Sequence, residues 1–289
     1  MSVFGKVFIA GAMILAPAIG LVAAAEAQPP IRIGASFAQT GVLAAVGQSR
    51  LLGSQLCVNH TNDKGGVLGR KLELVVYDDG SDPATAVRLY EKLITQDKVD
   101  LVVGPNTSPI VDAVADVTEK HKMPMVTNAT TTSIYRKGRK FLFGMSPPSE
   151  VIHEGLIDLA AKKGLKTVAL INGDSLTGRA MTQGAIELAK KKGLQVVFVG
   201  AYPKGTTDFS TILAKVRAAN PDVLGGATNV FEEMVAITRQ LKALNVNPRM
   251  VGLTIVDLPK FYEVLGRDAE FVYGATPWVP ELVDIRAGD

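Results

Sequence analysis

The chain has 289 residues, 47% of them apolar, enough for one large or two medium packed cores. Its formal net charge is only +3, which gives no footing for a nucleic-acid or anionic-membrane partner. A single cysteine, Cys57, excludes an internal disulfide, and its place in an apolar helical stretch reads as a buried, inert thiol.

The N-terminus has the layout of a secretory signal over residues 1–27. Lys6 is its positive start, Val7 to Val22 its apolar run, and Ala25-Glu26-Ala27 its cleavage site before Gln28. A membrane anchor is the alternative, but the run is short for a span and Pro17 interrupts it. The cleavage point carries no cysteine, and no second apolar run of spanning length follows. The expected mature chain is therefore a soluble one in the periplasm.

From Ile31 the pattern alternates between strand and helix. Ile31 to Phe37 reads as a strand, Gln48 to Asn62 as a helix and Lys71 to Tyr77 as a strand. Asp82-Pro83 opens a helix, with Asp at the cap and Pro in the first turn. Asp100 to Gly104 reads as a short buried strand, Ser108 to Lys122 as a helix, and Pro124 to Val126 and Phe141 to Met145 as strands. The pattern then restarts. Helices are predicted at Glu150 to Lys163, Gly178 to Lys192, from Asp208-Phe209-Ser210 to Ala219, at Phe231 to Leu244 and at Leu258 to Leu265. Strands are predicted at Thr167 to Ile171, Gln195 to Val199, Asp222 to Gly225, Met250 to Leu253 and Phe271 to Ala275. Lys190-Lys191-Lys192 reads as a solvated helix end.

Such alternation predicts an α/β chain with doubly wound parallel sheets covered on both faces. Two runs predict two lobes, 28–147 and 148–276, joined at Ser146-Pro147-Pro148. Doubly wound sheets bind ligands beyond the carboxyl ends of their strands, so the cleft between lobes is the expected site.

Enzyme chemistry finds little support. Gly173-Asp174-Ser175-Leu176 spells the signature of the GDSL esterases after a strand and before a helix. A nucleophilic serine needs a base, however, and His60, His121 and His153 all lie upstream of it. The histidines read as surface or helix-packing residues. His153-Glu154 lacks the second histidine of a zinc-protease helix, and the sequence holds no phosphate-binding loop and no Cys/His cluster for a metal. Asp78-Asp79 reads as a turn pair beside Gly80.

Several strings, in order, resemble the leucine/isoleucine/valine-binding protein family, the type I periplasmic binding proteins of branched-chain amino acid importers. They are Ile31 to Gly47, Lys64 to Leu74, Tyr77-Asp78-Asp79, Asp82-Pro83 and Asp208-Phe209-Ser210. The resemblance implies two α/β lobes with crossover strands, a ligand trapped as the lobes close, a membrane permease as partner, a monomer, and no cofactor. It places the first crossover near Ser146 to Ser149 and the second near Thr276 to Pro280, with 277–289 starting the return. Against the family the chain looks shortened at its C-terminus. A sensor ectodomain shares this fold and is the non-transport alternative; a periplasmic GDSL-type esterase is the enzyme alternative.

The resemblance also implies site residues. The ligand carboxylate falls to the helix start at Asn106, Thr107 and Ser108, and to Ala129, Thr130 and Thr131 on the next loop. A helix N-terminus suits a carboxylate, although Thr107 or Ser108 in that place also reads as a simple cap. The family's ammonium-binding glutamate aligns with Thr254, its second-lobe tyrosine with Thr177, its first-loop aromatic with Val46, and a further pocket position with Thr228 or Asn229. A neutral Thr254 cannot neutralise an ammonium, so the ligand is expected to be a small carboxylate that lacks an α-amino group, an aromatic acid among them. The alternative is an ordinary amino acid, with Asp257 supplying the charge; Asp257 otherwise reads as the cap of the next helix.

Overall fold

The computed structural model describes residues 28–275. The first lobe is a five-stranded sheet of β1 (Ile31–Ser36), β2 (Leu72–Tyr77), β3 (Leu101–Val103), β4 (Met125–Thr127) and β5 (Leu142–Gly144). The second is a five-stranded sheet of β6 (Thr167–Gly173), β7 (Gln195–Tyr202), β8 (Val223–Ala227), β9 (Met250–Leu253) and β10 (Val272–Gly274). The spatial orders are β2-β1-β3-β4-β5 and β10-β9-β8-β6-β7, and every pairing is parallel. Both sheets thus reverse their winding at one point, between β1 and β3 and between β6 and β8. The loops leaving those strands open a crevice at each reversal.

Helices cover the faces: α1 (Ala44–Asp63), α2 (Pro83–Thr95), α3 (Ser108–Lys120) and α4 (Thr132–Tyr135) in the first lobe. The second lobe has α5 (Glu154–Lys162), α6 (Leu176–Lys191), α7 (Ser210–Ala219), α8 (Phe231–Ala243) and α9 (Pro259–Leu265). Local chemistry sets their ends. The Asp82 carboxylate accepts from the Thr85 amide at 2.6 Å and Pro83 opens α2, as the sequence predicts. Asn220 ends α7 in the left-handed region. The Asp78 and Asp79 carboxylates do hold turns: Asp78 takes the amides of Gln39 and Gly80, and Asp79 the Ser36 hydroxyl and Ser81 amide.

Each sheet is buried on its helical faces. Tyr90, Leu93, Val102 and Val111 centre the first lobe's core. Ile171, Leu213, Leu224 and Phe261 fill one side of the second sheet, and Ile157, Val168, Leu170 and Val223 the other. Each such apolar side chain contributes about 1.5–3 kcal/mol on burial. The lobes touch: Val230 and Leu176 pack into the first lobe's core, and Ala45 packs against the second lobe's. Close backbone approach requires Gly47, where a Cβ would stand 1.8 Å from the Ala38 carbonyl oxygen. It brings α1 against the loop after β1.

The structure corrects three readings. Cys57 is exposed, because α1 buries only Gly47 fully along its length; Leu52 and Leu56 beside Cys57 also face outward. Asp257 does not cap α9, which begins after Leu258 without a side-chain cap. The helix predicted from Glu150 is a short 3-10 turn at Ser149–Val151, with α5 beginning only at Glu154. The signal and the second crossover lie outside the described residues.

Candidate functional site

The loops after β3, β4 and β8, with the segment joining the lobes at Ser146, line a half-open cavity of about 700 Å3. That is within the size range of small-molecule sites. Of the residues singled out in sequence, Val46, Asn106, Thr107 and Ser108 line it, as do Ala129, Thr130, Asn229 and Thr254. A second cavity of about 460 Å3 lies on the other side of Thr107 and Asn229, and Thr177 and Thr228 line that one. Thr131 lines neither. It is enclosed between Thr177 and Ser149, with its Oγ1 3.4 Å from Thr177 Oγ1 and 3.2 Å from Ser149 Oγ. Thr131 and Thr177 therefore join the lobes.

Ser108 sits at the first position of α3, whose opening amides have no intrahelical acceptor. Its Oγ accepts the amides of Thr130 at 3.2 Å and Thr131 at 3.1 Å. Both lone pairs are engaged, so its hydroxyl proton is the group left to donate. Thr107 stands at the cap position of α3 but makes no capping bond. Ala129 has both main-chain groups committed within the lobe: its amide donates to Thr127 Oγ1 and its carbonyl accepts from the Tyr135 hydroxyl.

Positive charge lies behind this helix start. Arg50 on α1 donates to the Pro105 carbonyl at 2.8 Å and stacks over Phe37. Among the described residues it forms no ion pair. Burial pushes its guanidinium down to about 10, which still leaves it charged at neutral pH. A helix N-terminus, a free hydroxyl proton and an unpaired arginine together favour an anion.

The second-lobe wall is arranged differently. The Thr254 hydroxyl donates to the Thr228 carbonyl at 2.6 Å, and its oxygen accepts the Thr228 amide at 3.0 Å. Thr228 Oγ1 in turn donates to Glu233 Oε2 at 2.7 Å, while Glu233 Oε1 takes the Gly205 amide. Glu233 is buried, and this burial raises its carboxyl above the usual range, against the hydrogen bonds that lower it. Asp257 is exposed on the wall of the larger cavity.

Sequence reasoning missed Arg50, Asn128, His153 and Glu233. Glu233 in the first turn of α8 looks like an ordinary dipole-favoured acid, and nothing local announces its burial. His153 is helix-packing, as expected, but it is also 2% exposed and lines the larger cavity.

The esterase string resolves into structure. Ser175 Oγ accepts the Gly178 amide at 3.0 Å and caps α6, with no histidine bonded to it among the described residues. Nor do the described residues bring together a His/Cys/Asp/Glu group able to hold a metal, or include a helix long and apolar enough to cross a membrane.

Two parallel-sheet lobes closing on a polar-edged cavity define a ligand-capturing protein. A family model described as periplasmic binding protein matches residues 30–287, and the chain belongs to that family. The Leu/Ile/Val-binding protein of Escherichia coli K12 is 27% identical over 274 residues, covering 93% of this chain and 72% of that one. Among solved structures, the branched-chain amino acid transporter substrate binding protein of Streptococcus pneumoniae, in complex with isoleucine, has a TM-score of 0.77 at 24% identity, covering 85% of this chain and 70% of that one. An ABC transporter solute binding protein of R. palustris, in complex with 4-hydroxybenzoate, has a TM-score of 0.72 at 25% identity, covering 80% of this chain and 64% of that one. By its family this chain is a binding protein and not an enzyme.

Proposed function

We propose that the chain captures a small carboxylate without an α-amino group, an aromatic acid being the best fit, and delivers it to a membrane permease. On this reading residues 1–27 direct export to the periplasm. Lobes 28–147 and 148–276 close on the ligand as a monomer. The carboxylate sits at the start of α3 against the Ser108 hydroxyl, with Arg50 behind it. Closure is a population shift toward the form in which both lobes contact the ligand.

The observation that carries the reading is the state of Thr254. It is neutral and 3% exposed, its proton goes to the Thr228 carbonyl, and one of its two lone pairs takes the Thr228 amide. An ammonium placed against it meets a single neutral lone pair and no negative charge, and a buried charge without a counter-charge is strongly disfavoured. The relative that holds 4-hydroxybenzoate supports the choice of acid.

A second reading, capture of an amino acid, draws on Asp257, whose carboxylate stands on the same cavity wall. Calorimetric titration of the native chain and of Asp257→Asn separates the two. Benzoate and 3-phenylpropanoate are expected to bind both proteins alike. Binding of leucine or phenylalanine that Asp257→Asn abolishes would replace the first reading with the second.

A further inference from the structure

We infer that Glu233 is a positioning residue for lobe closure, an assignment that rests on reading Thr254 as part of the ligand wall. Through Thr228 it holds Thr254 and the inter-lobe contact of Val230 in one arrangement.

An acid in the first turn of a helix ordinarily faces water and favours the dipole. Glu233, the third residue of α8, is instead 1% exposed, and its two carboxylate oxygens serve different segments. Oε1 accepts the Gly205 amide at 2.8 Å from the loop after β7. Oε2 accepts the Thr228 hydroxyl at 2.7 Å from the loop after β8. Val230, at the cap position of α8, makes no capping bond of its own. The Thr228–Glu233 pair lies against the end of β6, where a Cβ on Gly173 would stand 3.1 Å from Thr228 Oγ1 and 3.3 Å from Glu233 Oε2.

Thr228 passes this hold in two directions. Its hydroxyl proton goes to Glu233, and its Oγ1 accepts the Val230 amide at 3.2 Å. Val230 is 5% exposed and packs into the core of the first lobe, so the Thr228 hydroxyl fixes a residue that joins the lobes. The main chain of Thr228 meets the Thr254 hydroxyl in two bonds, at 2.6 and 3.0 Å. Past Thr254 the chain turns through Ile255 at φ 52°, a left-handed conformation that a β-branched side chain resists. Such a turn persists only where its surroundings hold it, and the bonds between Thr254 and Thr228 do so here. Ligand wall, strained turn and inter-lobe contact are therefore tied to one buried carboxylate. Two donors converge on it, and a carboxylate accepts at both oxygens, whereas the amide of a glutamine turns one of its two ends into a donor.

The test compares Glu233→Gln, Thr228→Val, Thr228→Ser and the double variant Glu233→Gln with Thr228→Val, with thermal melts checking that each folds. In the unliganded chain, Glu233→Gln is expected to quicken amide hydrogen exchange at Thr228 and Val230 by about tenfold or more beyond any change at Val168 and Leu170, core amides that report global opening. In calorimetric titration with 3-phenylpropanoate, Glu233→Gln and Thr228→Val are each expected to bind about tenfold more weakly. The double variant is expected to be no weaker than either, because both substitutions break one connection. Thr228→Ser, which returns the hydroxyl, should recover most of what Thr228→Val loses. An equal increase of exchange at all four amides would make Glu233 a general stabiliser of the fold, and an increase at Gly205 alone would make it an anchor of one loop; either overturns the proposal. Losses of affinity that add, or no loss, also overturn it. If 3-phenylpropanoate does not bind the native chain, the carboxylate reading fails, and the exchange at Thr228 and Val230 still decides the role of Glu233.

Discussion

Acid should weaken this fold through one residue in particular. Burial pushes the His153 imidazole down from 6.5 to about 4, so it stays neutral in the folded chain where an unfolded histidine is already charged. The unfolded state then binds more protons between those values. The residue's contribution is complete above pH 6.5 and is lost as pH falls toward 4. At about 1.36 kcal/mol per pH unit, the loss between about pH 7.5 and pH 4.5 is on the order of 2–3 kcal/mol. The buried carboxyls of Asp79 and Glu233 carry raised values and act in the opposite sense, so the comparison must be with a variant sharing them. Urea unfolding of the native chain and of His153→Leu at both pH values supplies it. The native chain should lose roughly 2–3 kcal/mol more than the variant. Equal losses would refute the argument that His153 is buried and unpaired.

Other outcomes follow from single residues. Ser108→Ala removes a hydrogen bond to a charged group, about 1.5–3 kcal/mol, so calorimetry should show acid affinity falling by roughly 10- to 100-fold; a loss under threefold would remove Ser108 from the site. Ser175→Ala should cost about 1 kcal/mol in urea unfolding through loss of the α6 cap, with p-nitrophenyl ester hydrolysis equally at background before and after; serine-dependent turnover would contradict the capping role. Cys57 should react with Ellman's reagent in the native chain as fast as in urea, and protection in the native state would restore the buried reading.

The contrast between the lobes shows what the sequence carried and what it did not. Alternating strand and helix signals were sufficient for the two parallel sheets, because β6 and β8 are near-continuous buried runs and Asp82-Pro83 is a strong helix start. Boundaries slipped where signals were weak: α1 starts earlier than predicted, and the helix after Pro147-Pro148 starts later, behind a 3-10 turn. Cys57 was misread because composition does not say which face of a helix is covered, and this helix covers little. Asn106, Thr107 and Ser108 were singled out through the family resemblance, since the local signal alone reads as a helix cap, and they line the larger cavity. The partnership of Thr254 with Thr228, 26 residues apart, is not local, nor is the packing that isolates His153. Such groups become visible only when the chain is folded.

The most direct measurement is a thermal-shift comparison of the chain with phenylalanine against 3-phenylpropanoate, and with leucine against 4-methylpentanoate. A ligand at a hundred times its dissociation constant adds about 2.7 kcal/mol of stability, a shift that is readily seen. Stabilisation by the acids and not by the amino acids is the result predicted from the neutral hydroxyl of Thr254. Stabilisation by the amino acids alone would contradict it and give the ammonium to Asp257.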